Sequence, residues 1–148
     1  MDPRLSYREA AVRGATPVGL VVLLYEQVIE DLRRALAAFG RKDIETRTRE
    51  INHAILVIGH LQATLDKEQG REAAVNLERF YDQLRAGLVQ AQCQQSAALL
   101  EQQISHLMLV HEAWREVERS QAPRAGATAG PAGLPAQGGT RPAKGWSA

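Results

Sequence analysis

Cysteine is nearly absent: Cys93 is the only one, which rules out an intramolecular disulfide and any zinc site built from cysteines. No apolar run approaches the roughly 18 residues that a membrane-spanning helix needs. The N-terminus, Met1-Asp2-Pro3-Arg4-Leu5-Ser6, has no basic region leading into a long apolar stretch. The expectation is a soluble, cytoplasmic chain with no membrane insertion. An excess of one charge is also missing. Residues 1–120 carry 15 basic and 17 acidic side chains, while the segment from Gln121 adds Arg124, Arg141 and Lys144 with no acid. Three dispersed cations are too few for a footprint on nucleic acid.

The groups that carry catalysis are missing as well. There is no glycine-rich phosphate loop and no serine elbow, and no Glu has a His three residues on, as a di-iron bundle requires. His111-Glu112-Ala113-Trp114-Arg115 begins like a zinc-protease helix but lacks the second histidine four residues after the first. His53, His60 and His106 have no partner histidine at one-turn spacing either. No catalytic, cofactor or metal residues are assigned, and the chain is not expected to be an enzyme.

What is present is four apolar-periodic segments of nearly equal length, residues 17–39, 43–65, 71–92 and 96–118, joined by three to five residues each. At 1.5 Å per residue each runs about 33 to 35 Å, so four helices can share one core. The fold class is all-α, an antiparallel four-helix bundle spanning residues 16–120, with an N-terminal arm or short helix over 1–15 and a disordered tail over 121–148. Of the last 28 residues, 18 are Ala, Gly or Pro, a composition that cannot bury a core. Trp146 is either a docking residue or an unpaired aromatic in that tail.

Local signals mark the helix ends. Thr16-Pro17 supplies a capping hydroxyl and a proline at the first helical position. Gly40 is the expected stop of the first helix, Asp43 and Ser96 are expected caps, and Asp66-Lys67-Glu68-Gln69-Gly70 reads as a polar turn. The first stripe runs through Leu20, Leu24, Val28, Leu32, Ala35 and Phe39, and the second through Ile44, Ile51, Ile55, Ile58, Leu61 and Leu65, with Leu56 and Val57 off it. The third holds Ala73, Leu77, Phe80, Tyr81, Leu84, Leu88 and Ala91, and the fourth Leu100, Ile104, Leu107, Met108, His111, Trp114 and Val117.

A set of residues in this order resembles the flagellar secretion chaperone family, FliS. They are Tyr7, Thr16-Pro17, the run Leu20-Val21-Val22-Leu23-Leu24-Tyr25, Leu65-Asp66 with Gly70, Asn76-Leu77, Phe80-Tyr81, Leu88 with Ala91, and Ala113-Trp114. The chain departs from the family pattern at Glu26-Gln27, where Asp-Gly often follows the tyrosine, at Gln92 in place of Asn, and at Leu84 where a second aromatic often sits. The resemblance implies a bundle that binds the disordered C-terminal segment of flagellin in apolar grooves, prevents premature polymerisation and serves export, meeting the export apparatus only indirectly. The candidate flagellin-binding residues are Tyr7, Leu20, Leu24, Tyr25, Leu61, Leu65, Asn76, Leu77, Tyr81 and Leu84, and Val22, Leu56 and Val57 are further candidates for exposed apolar strips. Tyr7 resembles a family feature that folds over the groove and is displaced by flagellin. The alternatives are a self-associating structural bundle or a histidine-containing metal-binding bundle.

Overall fold

Residues 16–121 are described by a computed structural model, and they form four α-helices: α1 (Pro17–Arg41), α2 (Ile44–Ala63), α3 (Lys67–Cys93) and α4 (Ala97–Gln121). The arm over 1–15, Tyr7 and Trp146 lie outside the described residues. The expected caps form where a side chain can reach the free N–H groups of a first turn. Thr16 Oγ1 accepts from the Gly19 amide at 3.0 Å, Asp43 from Thr46 at 3.1 Å and Ser96 from Leu99 at 3.1 Å.

Two ends differ from expectation. Gly40 lies inside α1, and the helix stops at Lys42, which takes the left-handed conformation (φ 60°, ψ 33°) and returns its N–H to Ala38 and Phe39. The Asp66–Gly70 turn is itself helical: Asp66 Oδ1 accepts from Glu68 and Gln69 at 3.1 Å each, and Lys67–Gly70 makes the first turn of α3. The helix then breaks at Arg71 (φ 49°, ψ −122°), a conformation that costs a residue with a side chain about 1 to 3 kcal/mol.

α1 packs against α2 and α4, and α3 against the same two helices from the opposite side, so the bundle is a closed square of antiparallel neighbours. Cross-helix pairs set the register. Asp31 meets His53 and Arg34 meets Glu50 between α1 and α2; Gln62 meets Asp82 and Arg47 meets Gln92 between α2 and α3; Glu26 meets His111 between α1 and α4. Numbers rise on one helix as they fall on its neighbour. Between these pairs, Val28, Leu32, Ala35, Ile51, Ile58, Leu61, Leu84, Leu88, Leu100, Leu107 and Val110 fill one core. Each large apolar side chain contributes roughly 1.5 to 3 kcal/mol by leaving water.

The stripes shift at their edges. Val57, expected off the second stripe, is in the core, because Ala54, Val57, Ile58 and Leu61 follow one another at three- and four-residue spacing. Ile44, in the first turn of α2, and Met108, toward the outer side of α4, are exposed. Gly40 and Gly59 are helical, with no atom within 4 Å of where a Cβ would stand. Gly40→Ala and Gly59→Ala should each raise stability by about 0.5 to 1 kcal/mol, read as a rise in the urea midpoint at unchanged m-value.

Candidate partner-binding surface

The register gathers the candidates at one end. Extending the Asp31–His53 and Arg34–Glu50 pairing along α1 and α2 brings Leu24 level with His60 and Leu20 level with Thr64. The Gln62–Asp82 bond sets Leu61 level with Gln83, between Tyr81 and Leu84. Leu20, Leu24, Tyr25, Leu61, Leu65, Asn76, Leu77 and Tyr81 therefore occupy the half of the bundle that holds the α2–α3 turn, and Leu84 sits one turn deeper.

They separate by depth. Tyr25, Leu61, Leu77, Tyr81 and Leu84 are core residues, as are Val22 and Val57. Their part in any groove is to shape it from beneath. Leu20, Leu24 and Leu65 are half-buried, and Leu24 and Leu65 rest on the core while keeping surface open to water. Leu20, Leu24, Gln27 and Asp31 recur at four, three and four residues, so they form one line along the α2-facing side of α1. Beyond it Leu56 is 56% exposed.

At the centre of this half the two tyrosines hydrogen-bond hydroxyl to hydroxyl at 2.8 Å, across the diagonal of the square, with ring centroids 6.3 Å apart. Burial holds the Tyr25 phenol well above its ordinary value of 10, and the facing Tyr81 adds to this; Tyr81 is raised as well, chiefly by burial. The Trp114 indole N–H lies close enough to favour the ionised form of Tyr25 but has no partner in hydrogen-bond geometry. Both phenols stay neutral through the physiological range, so the pair is a structural tie and offers no acid or base for catalysis.

Exposed apolar side chains complete the surface. Leu109 on α4 is 63% exposed, and Val75 and Val89 stand out from α3. These three went unnoticed in the sequence, although a signal was there: each falls off the three- and four-residue stripe of its helix. Among the described residues no three His, Cys, Asp or Glu side chains converge on a site that could hold a metal, and no helix is long and apolar enough to cross a membrane.

Comparison with known proteins matches this architecture to a family. The family described as flagellar protein FliS matches residues 2–121. The flagellar secretion chaperone FliSB of Pseudomonas aeruginosa is 37% identical over 106 residues, covering 72% of this chain and 84% of the relative. FliS of Salmonella typhimurium is 32% identical over 110 residues (74% and 82%), and FliS of Bacillus subtilis 25% identical over 120 residues (81% and 89%). These relatives are named as chaperones and not as enzymes, and the match runs through all four helices, so the chain belongs to the FliS family of flagellar secretion chaperones.

Proposed function

We propose that this chaperone holds the disordered C-terminal segment of flagellin in the cytoplasm, in the apolar grooves between its helices, and so keeps flagellin unpolymerised until export. The observation that carries the reading is a family match over the whole bundle, joined to leucines that the bundle leaves partly open, Leu20, Leu24 and Leu65 at one end and Leu56 and Leu109 beyond. A segment that is disordered alone and amphipathic as a helix gains on such a surface what it lacks in isolation. Each leucine-sized side chain it buries contributes roughly 1.5 to 3 kcal/mol, against an ordering cost of about 2 to 5 kcal/mol or more for the segment. Three or four anchors are enough to bind. Because the same segment makes the filament contacts, its capture blocks assembly.

Tyr7 and the arm are proposed to cover the groove in the free protein and to be displaced by flagellin.

Calorimetric titration with the flagellin C-terminal segment, beside flagellin lacking it, tests the reading. Saturable binding to the first alone is expected, with Leu24→Ala weakening it about tenfold and hydrogen exchange in the arm rising on binding. Since Leu24 also rests on the core, melting curves must accompany the affinities. Binding to neither ligand, with mass rising with protein concentration, would replace the chaperone reading by self-association through Leu56 and Leu109.

A further inference from the structure

Among the described residues three charged side chains are buried: Asp31, Arg47 and Glu50. Two of them share one cation, since Arg34 lies 3.3 Å from Asp31 and 3.5 Å from Glu50. Arg47 is different. It is 7% exposed, and no carboxylate stands within salt-bridge distance of it among the described residues. The acids nearest to it in sequence are committed or turned elsewhere. Asp43 caps α2 and stands 3.5 Å from Arg41, Glu50 holds Arg34, and Glu45, two residues away, is exposed on the opposite side of the helix.

The contacts that Arg47 does make fix its position and leave its charge uncompensated. Its Nε donates to Gln92 Oε1 on α3 at 3.0 Å, Gln92 Nε2 donates in turn to Thr48 Oγ1 at 2.6 Å, and the guanidinium carbon lies 4.7 Å from the centroid of the Phe39 ring on α1. A neutral amide oxygen and one ring face orient the guanidinium plane, but they do not supply the opposite charge that a buried cation calls for. The two terminal nitrogens make no hydrogen bond among the described residues, and neither is sealed from water. Arg47 is therefore a fixed fork with its outer edge open, and such a fork matches a carboxylate. Ile44, one turn earlier on α2 and 59% exposed, and the half-buried Phe39 place apolar surface beside it. The positive end of α2 adds to the field there.

We infer that Arg47 binds the terminal carboxylate of the export substrate's C-terminal segment. This rests on the proposed function for the identity of the ligand, while the capacity of Arg47 to take a carboxylate can be tested without it. A C-terminal segment brings one carboxylate whatever its composition, and that charge needs a partner once the segment lies against the bundle. Phe39 and Leu24 are 15 residues apart on α1, about 22 Å of helix. A segment with its carboxylate on Arg47 and its apolar side chains on Leu24 and Leu20 therefore runs lengthwise along the bundle, with its C-terminus toward the α1–α2 turn. Apolar contacts carry no direction of their own, so the charged anchor is what fixes the polarity and register of the bound chain.

The experiment is calorimetric titration of the full chain with a synthetic flagellin C-terminal peptide, prepared as the free acid and as the C-terminal amide. The wild-type chain should bind the acid about tenfold more tightly than the amide, the scale of one charged hydrogen-bonded contact. Arg47→Gln should bind both alike, at the affinity the wild type shows for the amide, and Arg47→Lys, which keeps the charge without the fork, should restore part of the difference. The acid–amide comparison on the wild type needs no variant to fold. Equal affinity of wild type and Arg47→Gln for the acid would overturn the site. Equal affinity of the wild type for acid and amide, with Arg47→Gln weaker for both, would overturn the terminal assignment and place an acidic side chain of the segment on Arg47. A second arm uses no peptide: sodium acetate replacing sodium chloride at constant ionic strength should shift the NMR signals of the Arg47 Nε–H and the Gln92 side-chain amide. If the wild type binds neither peptide, the proposed function fails, and the acetate titration still decides the site, since unmoved Arg47 and Gln92 signals would overturn it.

Discussion

Tyr81→Ala should cost the bundle about 3 to 5 kcal/mol, the range for removing a fully buried aromatic side chain. For a domain of this size that lowers Tm by roughly 10 to 25 °C. The loss has two sources, a cavity between four helices and an unsatisfied hydroxyl on Tyr25, 2.8 Å from the oxygen that is removed. Phenylalanine separates them. Tyr81→Phe keeps the ring and should cost about 1 to 2 kcal/mol, since the buried Tyr25 hydroxyl loses its partner; changing both tyrosines to phenylalanine should recover most of that, because neither hydroxyl is then left to go unpaired. Alkaline pH gives a second readout. Both phenols are held protonated above their ordinary value of 10, so the folded chain retains protons that the unfolded chain has released. The stability they contribute is whole below about pH 10 and is lost as pH rises above it. The double phenylalanine variant should lose that part of the decline. Urea denaturation at pH 8 and pH 11 measures both, and a wild-type chain no more sensitive to alkali than the double variant would show that the pair is not closed in solution.

Asp31→Ala should be the most damaging change among the charged residues, at about 2 to 4 kcal/mol. Asp31 is fully buried on α1, where its carboxylate accepts from Gln27 Nε2 at 2.9 Å and from the Arg34 guanidinium at 3.3 Å and meets His53 Nδ1 on α2. Removing one member of a buried ionic cluster typically costs about 3 to 5 kcal/mol, because the other charge is left without compensation. Here the figure is lower. Arg34 is 42% exposed and also reaches Glu50 at 3.5 Å, so it can turn to water or lean on its second partner. Asp31→Asn keeps the shape and one acceptor and should recover about half of the loss. Urea denaturation of the three chains provides the comparison, and equal midpoints for Asp31→Asn and wild type would show that shape, and not charge, is what the seam needs.

The two experiments probe different levels of the sequence. Asp43 as a cap was legible because capping is local: a carboxylate three residues from an N–H needs nothing else in the fold, and the Thr46 contacts hold its carboxyl below the usual range. Asp31 was not. A carboxylate on the flank of an amphipathic stripe reads as solvated, and only the arrival of α2, with His53 opposite, makes it a buried junction. Lys42 shows the same limit in the backbone. Gly40 is the residue better suited to end a helix, yet α1 runs through it, and Lys42 takes the left-handed turn that lets Asp43 cap α2.

The candidate surface divides along that line too. Tyr25, Leu61, Leu77, Tyr81 and Leu84, which the family resemblance singles out, lie together in the core, but periodicity cannot separate a residue that lines a groove from one that lies beneath it. Leu20, Leu24 and Leu65 are the ones with surface to offer. Leu109, which stands off its stripe, needed the neighbours of α4 to be in place before its exposure had meaning.

By itself the sequence determined the all-helical class, the number and approximate limits of the helices, their antiparallel order and the family, because each follows from apolar spacing, short connections, local caps and ordered side-chain matches. The tertiary structure alone decided which stripe residues are core and which are open, the diagonal tyrosine tie, the buried Asp31 junction and the strained joint at Arg71. All but the Arg71 joint depend on contacts between residues far apart in the chain, whose distances are fixed only when four helices close on one another and exclude water.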